Sequence, residues 1–369
     1  MKHTRVILAG GFLGAGKTTL LWETAQKLIG QGLRVGLITN DQAPELVDSE
    51  LLTLNNLQVA EVSGSCFCCN FNGFTDAIQK IRAEVAADVI IAEPVGSCTD
   101  LSATIMQPLK QYWNRELQIA PLSVLADPSR LDAILAGEHA GLHPDAAYIY
   151  RKQLEESDII LINKSDLLTS KQVEDLKQRT SRTFPAATVL AVSATQGTGI
   201  DEWLSLITAG SEAGKRLVEM DYDIYAHGEA VLGWLNGTVR LHGATTDWDR
   251  FTRTFLENLA ARFDRENLPV GHVKVIAENG RKFIAGNLTG NRETLSTRGS
   301  AGSSEEIKLI INARVETSPE NLDRIVRQTL DALCADKHIP EVTAWRYLQP
   351  SRPQPTHRFT EVVSSFNPA

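Results

Sequence analysis

Residues 10–19 read GGFLGAGKTT and follow directly on the apolar run Arg5–Ala9. Gly11, Gly16, Lys17 and Thr18 satisfy the pattern G-x-x-x-x-G-K-[ST], which limits the possible folds more than any other feature of the chain. Such a loop works only between a strand and a helix. Backbone N–H groups must curl around a phosphate, where side chains would block approach, and the helix must aim its positive end at the same anion. Gly10 and Gly14 add freedom to the turn. Gly11, Gly14, Ala15, Gly16, Lys17, Thr18 and Thr19 form the expected nucleotide-binding stretch. Lys17 is expected to reach the β- and γ-phosphates as a catalytic group, and the Thr18 hydroxyl to hold Mg²⁺.

The surrounding pattern supplies that context. Strands are expected at Arg5–Ala9, Arg34–Thr39, Leu57–Val62, Val89–Ala92, Pro121–Ala126, Ile159–Ile162 and Val189–Val192. Several are unbroken Val/Ile/Leu runs, as strands buried on both faces of a parallel sheet are. Thr18–Leu28, Phe74–Val85 and Lys171–Thr183 read as helices between them. Residues 1–208 are therefore expected to form a doubly wound α/β P-loop domain with a mainly parallel sheet. A polar segment, 209–230, reads as a linker. Beyond it, TVRLHG leads into DWDRFTRTFLENL and NARVET leads into PENLDRIVRQTLDAL. Two β-α-β units in series suggest a smaller α+β, ferredoxin-like domain over 231–350. The Gly/Ser-rich stretch 295–306 reads as a mobile loop, and 351–369, with four prolines after Gln349, as an extended or disordered tail.

Composition narrows the function classes. A net charge of −8 and the lack of a long basic run argue against nucleic acid as the main partner. No apolar stretch approaches the roughly 20 residues of a membrane helix, and the short apolar run at the start does not read as a signal peptide. A cytoplasmic setting is expected.

The run SDIILIN leads into Asn163, Lys164, Ser165 and Asp166. A carboxylate there can accept both hydrogen bonds from guanine N1–H and N2–H₂, which adenine cannot offer, so a buried Asp166 would select GTP. Ser193 and Ala194, in VSAT at the end of the next strand, offer backbone N–H groups to guanine O6. The fourth strand ends in Glu93, Pro94, Val95 and Gly96. Glu93 stands where a carboxylate would orient water or serve Mg²⁺, and Gly96 can present its N–H to the γ-phosphate. A strand-ending turn is the plainer reading of the same residues. Asp41 and Asp48 follow the second strand, where a switch loop would lie; Asp48 is a weaker Mg²⁺ candidate.

Three of the five cysteines fall within SGSCFCCNF. Cys66, Cys68 and Cys69 can converge on one soft or borderline ion such as Zn²⁺, Co²⁺ or Cu⁺, with a position left for an exchangeable ligand. Buried free thiols are the alternative. Cys98 and Cys334 stand alone and read as core residues. His139 and His143 are four apart, and a helix would place them on one face.

Taken together, GGFLGAGKTT, the N-D after the second strand, S-C-F-C-C, E-P-V-G and N-K-S-D resemble the CobW-like GTPases, which include cobalamin-synthesis proteins, nitrile hydratase activators and zinc chaperones. The resemblance implies a GTPase whose nucleotide state controls capture and release of Zn²⁺ or Co²⁺ at Cys66, Cys68 and Cys69, for delivery to a client metalloprotein, with a homodimer as one possible form. Lys17, Thr18, Glu93, Gly96, Asn163 and Asp166 would take the nucleotide and Mg²⁺ roles. Two features depart from the family. Its common N-E-F-G-E is here Asn40, Asp41, Gln42, Ala43 and Pro44, and its histidine-rich loop is missing. Two other readings remain: a nucleotide-gated binding protein with only a structural zinc, and an ATP-dependent small-molecule kinase, which N-K-S-D disfavours.

Overall fold

Thr4–Gly11 (β1) is apolar on both faces and almost wholly buried, so it takes the centre of a sheet. The computed structural model describes residues 3–41, 58–63, 66–209, 212–280, 282–290, 295–335 and 337–364. Around β1 lie β2 (Val35–Asp41), β3 (Gln58–Ser63), β4 (Val89–Glu93), the short β5 (Leu117–Ile119), β6 (Ser123–Ala126), β7 (Ile159–Ile162) and β8 (Thr188–Ala191). Their order is β3-β2-β4-β1-β6-β7-β8, with β5 also on β1, and every pairing is parallel. Strands before β5 lie on one side of β1 and strands after it on the other. That reversal opens a crevice at the carboxyl end of β1.

The helices on the two faces are α1 (Lys17–Gly30), α2 (Phe71–Val85), α3 (Gln107–Tyr112, entered through a π-helical turn at Ser102–Met106), α4 (Pro128–Leu135), α5 (Pro144–Glu156), α6 (Ser170–Thr183), α7 (Ile200–Thr208) and α8 (Tyr222–Ala230). Their starts are written in the sequence. Asn70 caps α2 by accepting from Gly73 N–H, and Phe71, Phe74, Ile78 and Ile81 form its buried stripe. Thr169 and Gln172 form a reciprocal capping box on α6.

The second sheet is antiparallel, in the order β12-β11-β10-β13-β9-β14. Its strands are β9 (Leu232–Asp247), β10 (Val270–Asn279), β11 (Lys282–Leu288), β12 (Ser296–Ser300), β13 (Ser303–Glu316) and β14 (His338–Leu348). Helices α9 (Trp248–Arg265) and α10 (Pro319–Cys334) pack Phe255, Leu259, Phe263, Leu322, Ile325 and Val326 into one core with it. The inner strands β14-β9-β13-β10, linked β-α-β then β-α-β, have the ferredoxin-like order, and β11 and β12 extend that sheet.

Three segments differ from the expectations. Residues 296–300 and 303–306 are strand, not mobile loop: Gly299 and Gly302, at φ +83° and +69°, let the backbone turn where most residues would be strained. The segment expected as linker carries α8, and its Gly214 and Lys215 N–H groups donate to the Asp158 carboxylate. The tail through residue 364 has no helix or strand, yet it is tied down. Thr356 N–H donates to Cys68 O, Phe359 N–H to Ala103 O, and Arg358 pairs with Asp100 at 2.7 Å.

Candidate functional site

Along the carboxyl edge of the parallel sheet the candidate residues stand in strand order. The cysteine loop follows β3, Asn40 ends β2, Glu93 ends β4, and the glycine loop follows β1. Asp127 follows β6, Asn163 follows β7 and Ser193 follows β8. One sheet edge thus positions them all.

The glycine loop turns as the sequence requires. Gly11 has φ +134°, and a Cβ there would meet Leu125 O at 2.4 Å. Gly16, at φ +91°, caps α1, and a Cβ on it would meet Asn163 Nδ2 at 2.4 Å. Lys17 Nζ donates to Gly11 O at 2.8 Å and lies 3.9 Å from Glu93 Oε1. The Thr18 hydroxyl is 3.3 and 3.4 Å from the two Glu93 oxygens. A hydroxyl and a carboxylate converging beside a lysine are hard oxygen donors, and they fit Mg²⁺. Asp48 lies outside the described residues, and so does the side chain of Asp41.

A cleft of about 950 Å³ is lined by Gly14, Gly16, Lys17, Thr18, Thr19, Glu93, Gly96, Asn163, Lys164, Asp166 and Ala194. Gly11, Ala15 and Ser193, expected in the nucleotide site, are not among its lining residues. Asn163 Nδ2 donates to Ala15 O at 2.8 Å while its Oδ1 accepts from Ala194 N–H at 3.0 Å, so one buried amide fastens the glycine loop to the loop after β8. Asp166 is exposed at the mouth, not buried as expected, because it sits on a 3₁₀ turn (Ser165–Leu167) that faces the open cleft. Ser193 Oγ donates to it at 2.5 Å. Lys164 pairs with Asp127 at 2.7 Å; burial raises the Asp127 pKa, but the Lys164 charge and hydrogen bond outweigh it and hold the carboxyl below its ordinary value.

The far wall of the cleft comes from the second sheet. His272, Lys274 and Arg314 line it, and Lys274 Nζ donates to Thr18 Oγ1 at 3.3 Å. Burial lowers the His272 pKa well below its ordinary value, and the charges of Lys274, Arg314, Lys17 and Arg130 lower it further. Lys17, Lys274 and Arg314 gather positive charge at this end of the cleft, which suits a polyanion. Arg130 joins the two layers: it donates to Leu13 O at 2.6 Å and to Val270 O at 3.1 Å. These second-domain cations were not among the sequence candidates. The signal was the alternation His272-Val-Lys274-Val, polar groups on one face of an otherwise apolar strand.

The thiols form a separate centre. Cys66 Sγ is 2.8 Å from Cys68 Sγ, and Cys68 Sγ is 3.8 Å from Cys69 Sγ. The sulfurs of all three lie close enough together to hold one ion. Cys66 and Cys68 are buried, while Cys69 is half-buried under the tail and accepts from Gln354 N–H at 3.1 Å. Hydrogen bonds from Cys68, Cys69 and Cys98 pull the Cys66 pKa well down. Hydrogen bonding to Cys66 in turn pushes Cys69 up to about 12 and raises Cys68 and Cys98. Cys98 and Cys334, read from sequence as core residues, are buried in the cores of the first and second domains. No helix covers 139–143. His143 instead caps α5 and groups with Asp145 and His227.

Asn40 connects the two centres. It lines the cleft, its Nδ2 donates to Val62 O at 2.7 Å, and its Oδ1 accepts from Phe67 N–H at 2.9 Å, inside the cysteine loop.

The family described as "CobW/HypB/UreG, nucleotide-binding domain" matches residues 5–191. Three relatives align with about half of the chain. They are "Zinc chaperone YjiA" of Escherichia coli K12 (27% identical, 52% of this chain and 58% of that protein), "Zinc chaperone CobW" of Sinorhizobium sp (29%, 47% and 55%), and "Zinc-regulated GTPase metalloprotein activator 1" of Dictyostelium discoideum (25%, 50% and 45%). The chain spans about half the length of the curated relatives it matches. No helix among the described residues is long and apolar enough to cross a membrane.

Proposed function

The chain belongs to the CobW/HypB/UreG nucleotide-binding domain family, and from that premise we propose that it is a GTP-hydrolysing metallochaperone or metalloenzyme activator. It takes Zn²⁺ or Co²⁺ as cargo at Cys66, Cys68 and Cys69 and delivers it to a client metalloprotein, in a cytoplasm where thiols stay reduced. The observation that carries this reading is the Asn40 bridge, which hydrogen-bonds the cysteine loop from the wall of the cleft.

In this reading the glycine loop and Lys17 hold the β- and γ-phosphates, with Lys274 and Arg314 completing the positive chamber. Asp166 and the loop at Ser193 and Ala194 hold guanine. Thr18, with Glu93 beside it, would hold Mg²⁺, which would supply neutralisation of the phosphate charge. Glu93 orients the attacking water, and Gly96 presents its N–H where the γ-phosphate ends. Loss of that phosphate releases residues 93–98 and the end of β2 together, and Asn40 passes the shift to Phe67 and the thiols.

The test is a Zn²⁺ titration of the full chain with a non-hydrolysable GTP analogue and with GDP. Different affinities in the two states are expected, and equal ones remove the switch. Replacing Cys66, Cys68 and Cys69 together with serine should abolish tight binding and leave GTP binding intact. A structural zinc would show instead as slow exchange with a chelator and unfolding on removal.

A further inference from the structure

Among the described residues, two groups of side chains bring metal-ligating atoms close enough to share one ion: the three thiols, and His143, Asp145 and His227. None of the second group lines the nucleotide cleft. His143 caps α5, Asp145 lies in the first turn of that helix, and His227 comes from α8, 82 residues after Asp145. We propose that these three form a second transition-metal site, taking Zn²⁺ or a similar borderline divalent ion, and that the ion clamps α8 to the start of α5. The site contains no thiol and stands whether or not the cysteines carry cargo.

A glycine sets how closely the two helices approach. A Cβ on Gly228 would meet Asp145 O at 2.4 Å, so a larger residue would push the α8 backbone away. Tyr148, one turn into α5, holds the other end of α8, its hydroxyl accepting from Asp221 N–H at 2.8 Å. Within this frame His227 Nδ1 lies 2.5 Å from Asp145 Oδ2, and His143 Nδ1 lies 3.9 Å from the same oxygen. The two imidazole rings stand edge to face, with centroids 5.1 Å apart. Ligands about 2.0–2.1 Å from a tetrahedral Zn²⁺ lie about 3.4 Å from one another. The separations of 2.5 and 3.9 Å bracket that value, and side-chain rotations of under about 1 Å reach it. Ligation exchanges two hydrogen bonds for the ion. The proton between His227 and Asp145 moves to His227 Nε2, and the Asp145 N–H, which donates to His143 Nδ1 at 3.2 Å, is left to water. Both imidazoles then bind as neutral bases. Two nitrogen ligands favour Zn²⁺ over Mg²⁺, and three protein ligands leave one position open.

The opposite face of α8 gives the clamp a consequence. The Tyr225 hydroxyl accepts from Thr99 N–H at 3.2 Å, the Ser97 hydroxyl donates to Glu229 at 2.6 Å, and the Tyr222 hydroxyl donates to Asp100 at 2.8 Å. Residues 97–100 continue the loop that begins with Glu93 and Gly96. An ion on the outer face of α8 therefore stiffens the helix against which that loop rests, and metal is registered at the surface by a site separate from the thiols.

The experiment titrates Zn²⁺ into the reduced full chain against a competing indicator, in excess Mg²⁺ to fill hard oxygen sites. Two classes of site are expected, a tight one at the thiols and a weaker one here. His227, an exposed side chain, can be replaced without disturbing the core. His227→Gln and Asp145→Asn should each weaken the second class roughly 10²-fold, since even the loss of a partner behind a ligand costs about 10–100-fold, and should leave the first class unchanged. Serine at Cys66, Cys68 and Cys69 should do the reverse, so the two sites are tested apart. His242→Gln removes another histidine set between carboxylates, those of Glu306 and Glu341, and should change neither class. Hydrogen exchange over residues 222–230 should slow as the second class fills in the unaltered chain, and should not in His227→Gln. A second class that is missing from the unaltered chain, or that survives in both His227→Gln and Asp145→Asn, overturns the site. Filling without slower exchange in α8 overturns the clamp.

Discussion

Replacing Glu156 with Gln separates the electrostatics of a buried carboxyl from its hydrogen bonds. Glu156 is fully buried at the end of α5, where Oε1 accepts from the Thr99 hydroxyl at 3.0 Å and Oε2 from Ser102 N–H at 2.9 Å. Burial, and then the nearby Asp100 charge, push its pKa up from 4.5 to about 8. The folded state therefore keeps this group protonated where the unfolded chain has released the proton. Its stabilising effect is fully present below about pH 4.5 and is lost as pH rises through about 8. At about 1.4 kcal/mol per pH unit, the whole interval amounts to about 5 kcal/mol at its limit. Glutamine reproduces the neutral form, with its oxygen on Ser102 N–H and its amide donating to Thr99. Urea unfolding of reduced, metal-free protein should give stabilities within about 1 kcal/mol near pH 5. At pH 7 the variant should lead by about 3 kcal/mol. Parallel pH curves for the two proteins would refute the reasoning.

Asn40→Ala strips two buried hydrogen bonds from the cysteine loop and should cost about 1–3 kcal/mol in denaturant unfolding, while the GTP-to-GDP difference in Zn²⁺ affinity shrinks towards unity. An unchanged difference would remove Asn40 from the coupling. Asp166→Ala should lower GTP affinity roughly 10²-fold, since two charge-assisted hydrogen bonds are lost, and should leave ATP affinity almost unchanged. A fluorescent-nucleotide competition measures both, and an intact preference for GTP would count against the guanine assignment. Ending the chain at Gln349 removes the Gln354 N–H and the cover over Cys69, and its alkylation, followed by peptide mass, should speed up roughly tenfold. An equal rate would show that the tail does not shield the thiol.

The parallel domain was legible because continuous Val/Ile/Leu strands and a strand–loop–helix motif leave few alternatives. The ferredoxin-like order was legible from two repeated strand-to-helix junctions. What escaped depends on distance along the chain. Lys274 and His272 escaped because the motif names only its own loop, while the opposite wall comes from a different domain. The Gly/Ser-rich segment 295–306 misled because glycine marks a tight hairpin as well as a flexible loop, and composition does not separate the two.

Arg130 has a thermal consequence. Its one guanidinium, buried over the Phe12 ring, ties Leu13 O of the glycine loop to Val270 O at the start of β10. Neither sheet can melt first without leaving those carbonyls facing an unsatisfied buried charge. Heating should therefore give one calorimetric transition with equal calorimetric and van't Hoff enthalpies, and Arg130→Ala should split it into two. The ferredoxin-like half is bound into the cooperative unit of the phosphate loop, so heat should inactivate the cleft and unfold the outer sheet at the same temperature.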